Sequence, residues 1–186
     1  ERAQAEPAET APPAHLEELQ AWEPPEGARN LCRSYGWACA SGGGSFAGGD
    51  RALLSLAREV NVAVNLRIEP ARDSQLYGTA ERWTLPQGGR GDCEDYALLK
   101  MRELLDRGVP PERLLLSVVV NDSFVPHVVL VLRSDRGDYF LDNMTDLVQA
   151  WHRTGYAVLS MQSPQDKRSW SAVFMGEQLA WTGGGP

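Results

Sequence analysis

The sequence predicts an α+β fold. Two long segments with a 3.6-residue apolar period, 51–68 and 93–108, lie in the first two thirds of the chain. From Leu114 onward the period changes to two, and 114–120, 125–132 and 138–141 read as β-strands. Asp135-Arg136-Gly137 is a hairpin turn between the second and third of these. Helices first and antiparallel strands later exclude an alternating βαβ arrangement.

Each element follows from local chemistry. Residues 1–14 are rich in Ala, Pro and Glu with almost no apolar bulk, which predicts a disordered tail. Residues 15–186 are then one domain. His15 to Trp22 predicts a short helix stopped by Pro24 and Pro25. The segment 31–40 carries Cys32 and Cys39, and 41–50 is a glycine-rich connection. It lacks the Lys-Ser/Thr that completes a phosphate-binding loop. Asp50 is placed to cap a helix whose Leu53, Leu54, Leu56, Ala57, Val60, Val64 and Ile68 share one face, and Pro70 ends it. Residues 71–91 read mostly as loop. The second helix has Ala97, Leu98, Met101, Leu104 and Leu105 as its stripe, with Gly108 and Pro110 as terminators. Further short strands are expected at 157–161 and 172–175.

Composition narrows the chemistry. The 186 residues carry 25 acids against 18 bases, a net charge of −7, so there is no basic excess for nucleic acid. No run approaches the roughly 18 apolar residues of a membrane helix. The three histidines and three cysteines show no paired zinc-ligand spacing. Cys32 and Cys39 can pair with each other, which leaves Cys93 single; whether they are bridged stays open here.

The block Gly91-Asp92-Cys93-Glu94-Asp95 is the richest place for chemistry. Cys93 falls at a helix start after a glycine-rich loop, where free N–H groups and the helix dipole favour a thiolate. The three acids oppose this, so a nucleophile here needs a nearby cation: an imidazolium, a bound metal, or both. The plain alternative, helix-start charges around a small buried hydrophobe, is equally compatible with the local sequence. His127, inside the run Val125 to Leu132, shifts the balance. A helix-borne Cys facing a strand-borne His is the papain-like arrangement for nucleophilic catalysis. Asp142, at the end of the next strand, is the expected orienter of the imidazole, with Asn143 second. The hairpin count sets position 142 roughly opposite 130, and twist or a bulge brings it toward 127.

The chain resembles the bacterial transglutaminase-like cysteine proteases, the LapG-like group. The residues that carry this are Tyr77-Gly78, Trp83, Pro86, Gly91-Asp92-Cys93-Glu94-Asp95-Tyr96-Ala97, Lys100, His127 and Leu141-Asp142-Asn143. Cys32 and Cys39, Trp151, Thr154-Gly155-Tyr156 and Gln162-Ser163 are similar to one branch of that family. The resemblance spans about residues 30 to 172. It implies a papain/transglutaminase-like fold, with a nucleophile-bearing helix packed on an antiparallel sheet that carries His and Asp. It implies Cys93 as nucleophile, His127 as base and Asp142 as orienting acid. It also implies a calcium requirement with ligands Asp92, Glu94 and Asp95. The chain is then expected to be an exported, periplasmic peptidase whose signal peptide is absent from this sequence. The implied partners are a protein substrate such as a large surface adhesin, and an inner-membrane regulatory receptor. Two other functions share these residues: acyl transfer from glutamine to an amine, and a non-enzymatic calcium-binding module.

Overall fold

The computed structural model describes residues 14–175. The tail expected over 1–14 lies outside the described residues except for Ala14, whose carbonyl accepts the Asp138 N–H at 2.9 Å. The strands in chain order are β1 (Gln20–Trp22), β2 (Glu69–Pro70), β3 (Arg90–Gly91), β4 (Leu114–Val120), β5 (Pro126–Ser134), β6 (Gly137–Leu141), β7 (Gln149–Ala150), β8 (Ala157–Gln162) and β9 (Trp170–Met175). The helices are α1 (Leu31–Ser34), α2 (Gly49–Arg67), α3 (Asp73–Leu76) and α4 (Cys93–Asp106). Seven strands form one antiparallel sheet in the order β1-β9-β8-β4-β5-β6-β7, while β2 and β3 form a separate parallel pair.

Strand alternation builds a core on each face of the sheet. Leu114, Leu116, Leu130, Leu132 and Leu141 pack with Leu53, Ala57, Val60 and Val64 of α2 and with Ala97, Leu98, Met101 and Leu104 of α4. Leu115, Val119, Val129, Val131, Phe140, Val158 and Met161 pack on the other face with Leu16 and Trp151. Burial on both faces explains why β4 and β5 read as continuous apolar runs. Each fully buried leucine contributes on the order of 1.5–3 kcal/mol.

Two expectations are corrected. Residues 15–22 are extended rather than helical. Leu16 is buried beside the sheet, and Gln20 to Trp22 pair with Ala172 to Trp170 at its edge. An eight-residue segment is too short to hold a helix against that pairing. Asp50 does not cap α2. Gly48 occupies the cap position at φ 93°, a left-handed conformation suited to glycine. Asp50 sits in the first turn, where its carboxylate accepts the Asp135 N–H at 3.0 Å and faces Arg113 at 3.8 Å. Cys32 and Cys39 form a disulfide, and Cys93 is a free thiol.

Candidate active site

The start of α4, where Cys93 sits, is built by local docking. The β2–β3 ladder, with Ala71 N–H donating to the Gly91 carbonyl at 2.9 Å, lays residues 69–71 beside the chain that leads into α4. Gly91 is required there: a Cβ would come within 2.6 Å of the Asp95 carboxylate. Asp92 precedes α4 and Cys93 opens it. The Cys93 thiol donates to Glu94 Oε2 at 3.2 Å. Burial pushes the thiol pKa up, and the Glu94 charge adds to that; the Val128 backbone N–H, hydrogen-bonded to the sulfur, works the other way. That bond brings the sulfur to the residue next to His127.

On the opposite side, His127 Nε2 and Asp142 Oδ1 are 2.7 Å apart. Leu141, not Asp142, pairs with Leu130, so the ladder stops one residue earlier than the hairpin count implied. Asp142 lies past its end and turns back toward His127. Asp142 also accepts the Met144 N–H at 2.9 Å and the Tyr156 hydroxyl at 2.8 Å. Burial raises the Asp142 pKa, but the His127 bond and charge, with these two donors, outweigh it and leave the carboxyl below its ordinary value. The Tyr156 hydroxyl is raised by burial and by Asp142, so it stays a proton donor. The loop after Asp142 is pinned from α2: Asn65 Nδ2 donates to the Asp142 carbonyl at 3.0 Å and Asn61 Nδ2 to the Thr145 carbonyl at 3.0 Å.

Cys93 and His127 share a cleft of about 340 Å³, walled by Pro70 to Arg72 and Gln75 on one side and by Asn143 and Met144 on the other. Sequence reasoning assigned no role to Tyr156, Asn61 or Asn65. Asn61 and Asn65 are distant in sequence from the loop they hold, and no local pattern marks them; Tyr156 stood in the Thr154-Gly155-Tyr156 segment of the resemblance, without a role.

The acids divide in a way the sequence did not predict. Asp92 and Glu94 converge with Asp73, one oxygen of each lying within 4.8 Å of the others. Asp95, the third expected ligand, lies outside this group and accepts the Thr84 N–H at 3.1 Å. Asp73 opens α3, inside the segment read as loop. Its neighbour across the cluster is Asp92, whose Oδ2 accepts the Asp73 N–H at 3.2 Å. Burial raises Asp73 to about 6, with the Asp92 charge second. Burial and Asp92 also raise Glu94, to about 9. Asp73 Oδ1, Asp92 Oδ1 and Glu94 Oε1 are all buried without a hydrogen-bond partner. Three converging carboxylates with orphaned oxygens fit a hard, oxygen-seeking divalent cation such as calcium.

No curated protein matched the sequence. Among solved structures, Legionella pneumophila LapG superposes with a TM-score of 0.49 at 23% identity, over 57% of this chain and 63% of that one. EGTA-treated L. pneumophila LapG gives 0.49 at 21%, over 57% and 61%. Calcium-bound L. pneumophila LapG gives 0.54 at 21%, over 70% and 75%, which supports a shared fold. The chain thus spans less than two thirds of the first two LapG chains. The sequence pattern of the bacterial transglutaminase-like cysteine proteinases (BTLCP) matches residues 18–178. A cysteine-bearing helix packed on an antiparallel sheet, and a pattern match over most of the chain, lead to one assignment: the chain belongs to the bacterial transglutaminase-like cysteine proteinase family.

Proposed function

We propose that this protein is a calcium-dependent cysteine endopeptidase of the bacterial envelope, with Cys93 as nucleophile, His127 as general base and acid, and Asp142 as orienter. The observation that carries the reading is the 2.7 Å His127–Asp142 contact beside a free thiol at a helix start. Asp142 engages Nε2, which leaves Nδ1 as the ring nitrogen available to the thiol. Nδ1 takes the thiol proton, and the sulfur attacks the peptide carbonyl carbon. The carbonyl electron pair moves to oxygen, where the Cys93 N–H at the helix start is available as a donor. Collapse breaks the C–N bond, and the imidazolium protonates the departing amine. His127 then activates water, which attacks the thioester and restores the thiol.

Asp73, Asp92 and Glu94 would hold calcium, and Asp95 would support the loop instead. Bound calcium would supply positive charge that offsets the carboxylate repulsion around the nucleophile. Asp142, buried and bonded to three donors, keeps its charge and with it the imidazole orientation. The proposed substrate is a polypeptide, with a surface adhesin as the leading class, in a periplasmic setting under an inner-membrane receptor. No helix among the described residues is long and apolar enough to cross a membrane.

The test is digestion of a randomised peptide library with calcium or with chelator, read by mass spectrometry. Cleavage that needs calcium and disappears in Cys93→Ala and His127→Ala is expected. Cleavage that survives Cys93→Ala would refute the assignment.

A further inference from the structure

The cleft that holds Cys93 and His127 does not end at Met144. Met144 is also a wall of a second cavity, of about 190 Å³, so the two adjoin across one side chain. Phe140, Leu147 and Tyr156 line the second cavity as well. Most of the polar groups around it are already committed. Asp142 is bonded to His127, to the Met144 N–H and to the Tyr156 hydroxyl. The Thr145 hydroxyl accepts the Leu147 N–H at 3.2 Å, and the Thr154 hydroxyl donates to the Trp151 carbonyl at 2.7 Å. A ligand is therefore offered mainly apolar surface, with the side chains of Gln149 and the exposed Arg153 as the uncommitted polar groups among the described residues. The cavity exceeds the roughly 150 Å³ that takes a benzene ring in an apolar protein interior, so it has room for a leucine, methionine or phenylalanine side chain.

The surface at this end of the sheet is apolar beyond what packing requires. Met144 and Leu147 are 73% and 63% exposed, and Phe124 and Val125, three and two residues before His127, are also exposed. β5 starts and β6 ends at the same end of the sheet, so the loops that carry all four residues flank the His127 wall. Large apolar side chains gathered on one surface mark a place where something apolar is received.

The chemistry decides which part of a substrate reaches it. The imidazolium of His127 gives its proton to the departing nitrogen, so the amine-side half of a peptide lies against the His127 wall. Met144 is part of that wall, and a chain that runs past it meets the second cavity. The bonds from Asn61 and Asn65 to the Asp142 and Thr145 carbonyls hold the loop in place, so the cavity is formed before anything binds.

We infer that the cavity bounded by Phe140, Met144, Leu147 and Tyr156 is a substrate subsite that takes a large apolar side chain from the amine side of the scissile bond. The inference rests on the cysteine peptidase reading and gives it a substrate preference.

The test is digestion of a randomised peptide library by the calcium-loaded full chain, with the new N-termini sequenced by mass spectrometry. Leu, Met or Phe should be enriched on the order of tenfold or more over Ala at one fixed position soon after the cut. Two peptides that differ only there, Leu against Ala, are then compared by kcat/KM in wild type, Met144→Ser and Leu147→Ser. The Leu-to-Ala ratio should fall toward one in each variant. Because each ratio is taken within one enzyme, a general loss of fold or of thiol reactivity cancels from it. Flat selection on the amine side, or a ratio that both variants leave unchanged, overturns the subsite. Selection of Asp or Glu at that position, abolished in Arg153→Gln, would make it a carboxylate site and overturns the apolar assignment. A wild-type chain that cleaves no library peptide takes down the peptidase reading, and this inference with it.

Discussion

Cation binding at Asp73, Asp92 and Glu94 should release protons, and the number can be worked out from the site. Metal ligation requires the carboxylates to be ionised. Without the ion, burial and mutual repulsion raise Asp73 to about 6 and Glu94 to about 9. At pH 7, Asp73 is then roughly one-tenth protonated and Glu94 almost wholly so, giving about one proton released per ion. At pH 6, Asp73 is about half protonated and the release climbs to roughly one and a half. The assay is isothermal titration with calcium at both pH values, in buffers of different ionisation enthalpy such as HEPES and Tris. The slope of observed heat against buffer enthalpy gives the proton count. Affinity should weaken as pH falls, because protons and calcium compete for the same oxygens. Asp73→Asn should bind more weakly and lose the extra release at pH 6. Calcium binding with no proton release at either pH would mean that these carboxylates are not the ligands.

Further outcomes follow from the same geometry. Asp142→Asn should lower acylation of Cys93 by on the order of 10³-fold or more, since the imidazole tautomer is no longer set; Tyr156→Phe, which removes one of three donors to Asp142, should cost only about tenfold. Pre-steady-state acylation kinetics measure both. Lys100 is fully buried with no hydrogen-bond partner, and burial lowers its pKa to about 7 despite Asp142 and Asp146. The unfolded chain therefore binds more protons between about pH 7 and 10.5, so this residue's penalty is full below pH 7 and fades as pH rises. Lys100→Met should be more stable than wild type in urea at pH 7, by up to about 4 kcal/mol, with the gain vanishing near pH 10.5. A pH-independent difference would count against a buried, unpaired Lys100. Replacing both Cys32 and Cys39 by Ser should cost about 2–3 kcal/mol in denaturant titrations, with Cys93 alkylation retained.

The parts legible in the sequence are those fixed by local chemistry. The stripes of α2 and α4 and the alternation of β4 and β5 are short-range patterns, and the elements fall where those patterns predict them. Cys93 at a helix start and His127 in a strand follow from the same reading. Contacts that close over long sequence distances were hidden. The segment 15–22 has helix-like leucine spacing, yet its partner is Trp170 to Ala172, about 150 residues away. Asp73 joins Asp92 and Glu94 across a loop whose length gives no register. Asp95 has the composition of a ligand, but the Thr84 N–H claims one of its oxygens. Asp142 was identified by counting along a hairpin, and the count was off by one. Asp142 meets His127 because the strand ends at Leu141 and the chain past it turns back toward the ring.

The two walls of the cleft are held by different physics, and this places the effect of a cation. The His127 wall is anchored by hydrogen bonds from Asn61 and Asn65 of α2 to the carbonyls of Asp142 and Thr145. Those bonds do not depend on a metal. The Gln75 wall rests on a two-residue parallel ladder and one N–H to carboxylate bond, with Asp73, Asp92 and Glu94 crowded at the junction. Two ionised carboxylates with oxygens within 4.8 Å of each other repel by at least about 3 kcal/mol at an effective dielectric of 20. That repulsion acts directly against the docking of α3 beside Cys93. A divalent ion held by Asp73, Asp92 and Glu94 would offset that repulsion and favour the docking. Chelation should therefore raise amide hydrogen exchange in residues 69–76 and leave 142–146 protected. If both walls loosen together, the ion supports the whole fold rather than this junction; if neither does, it does not bind here.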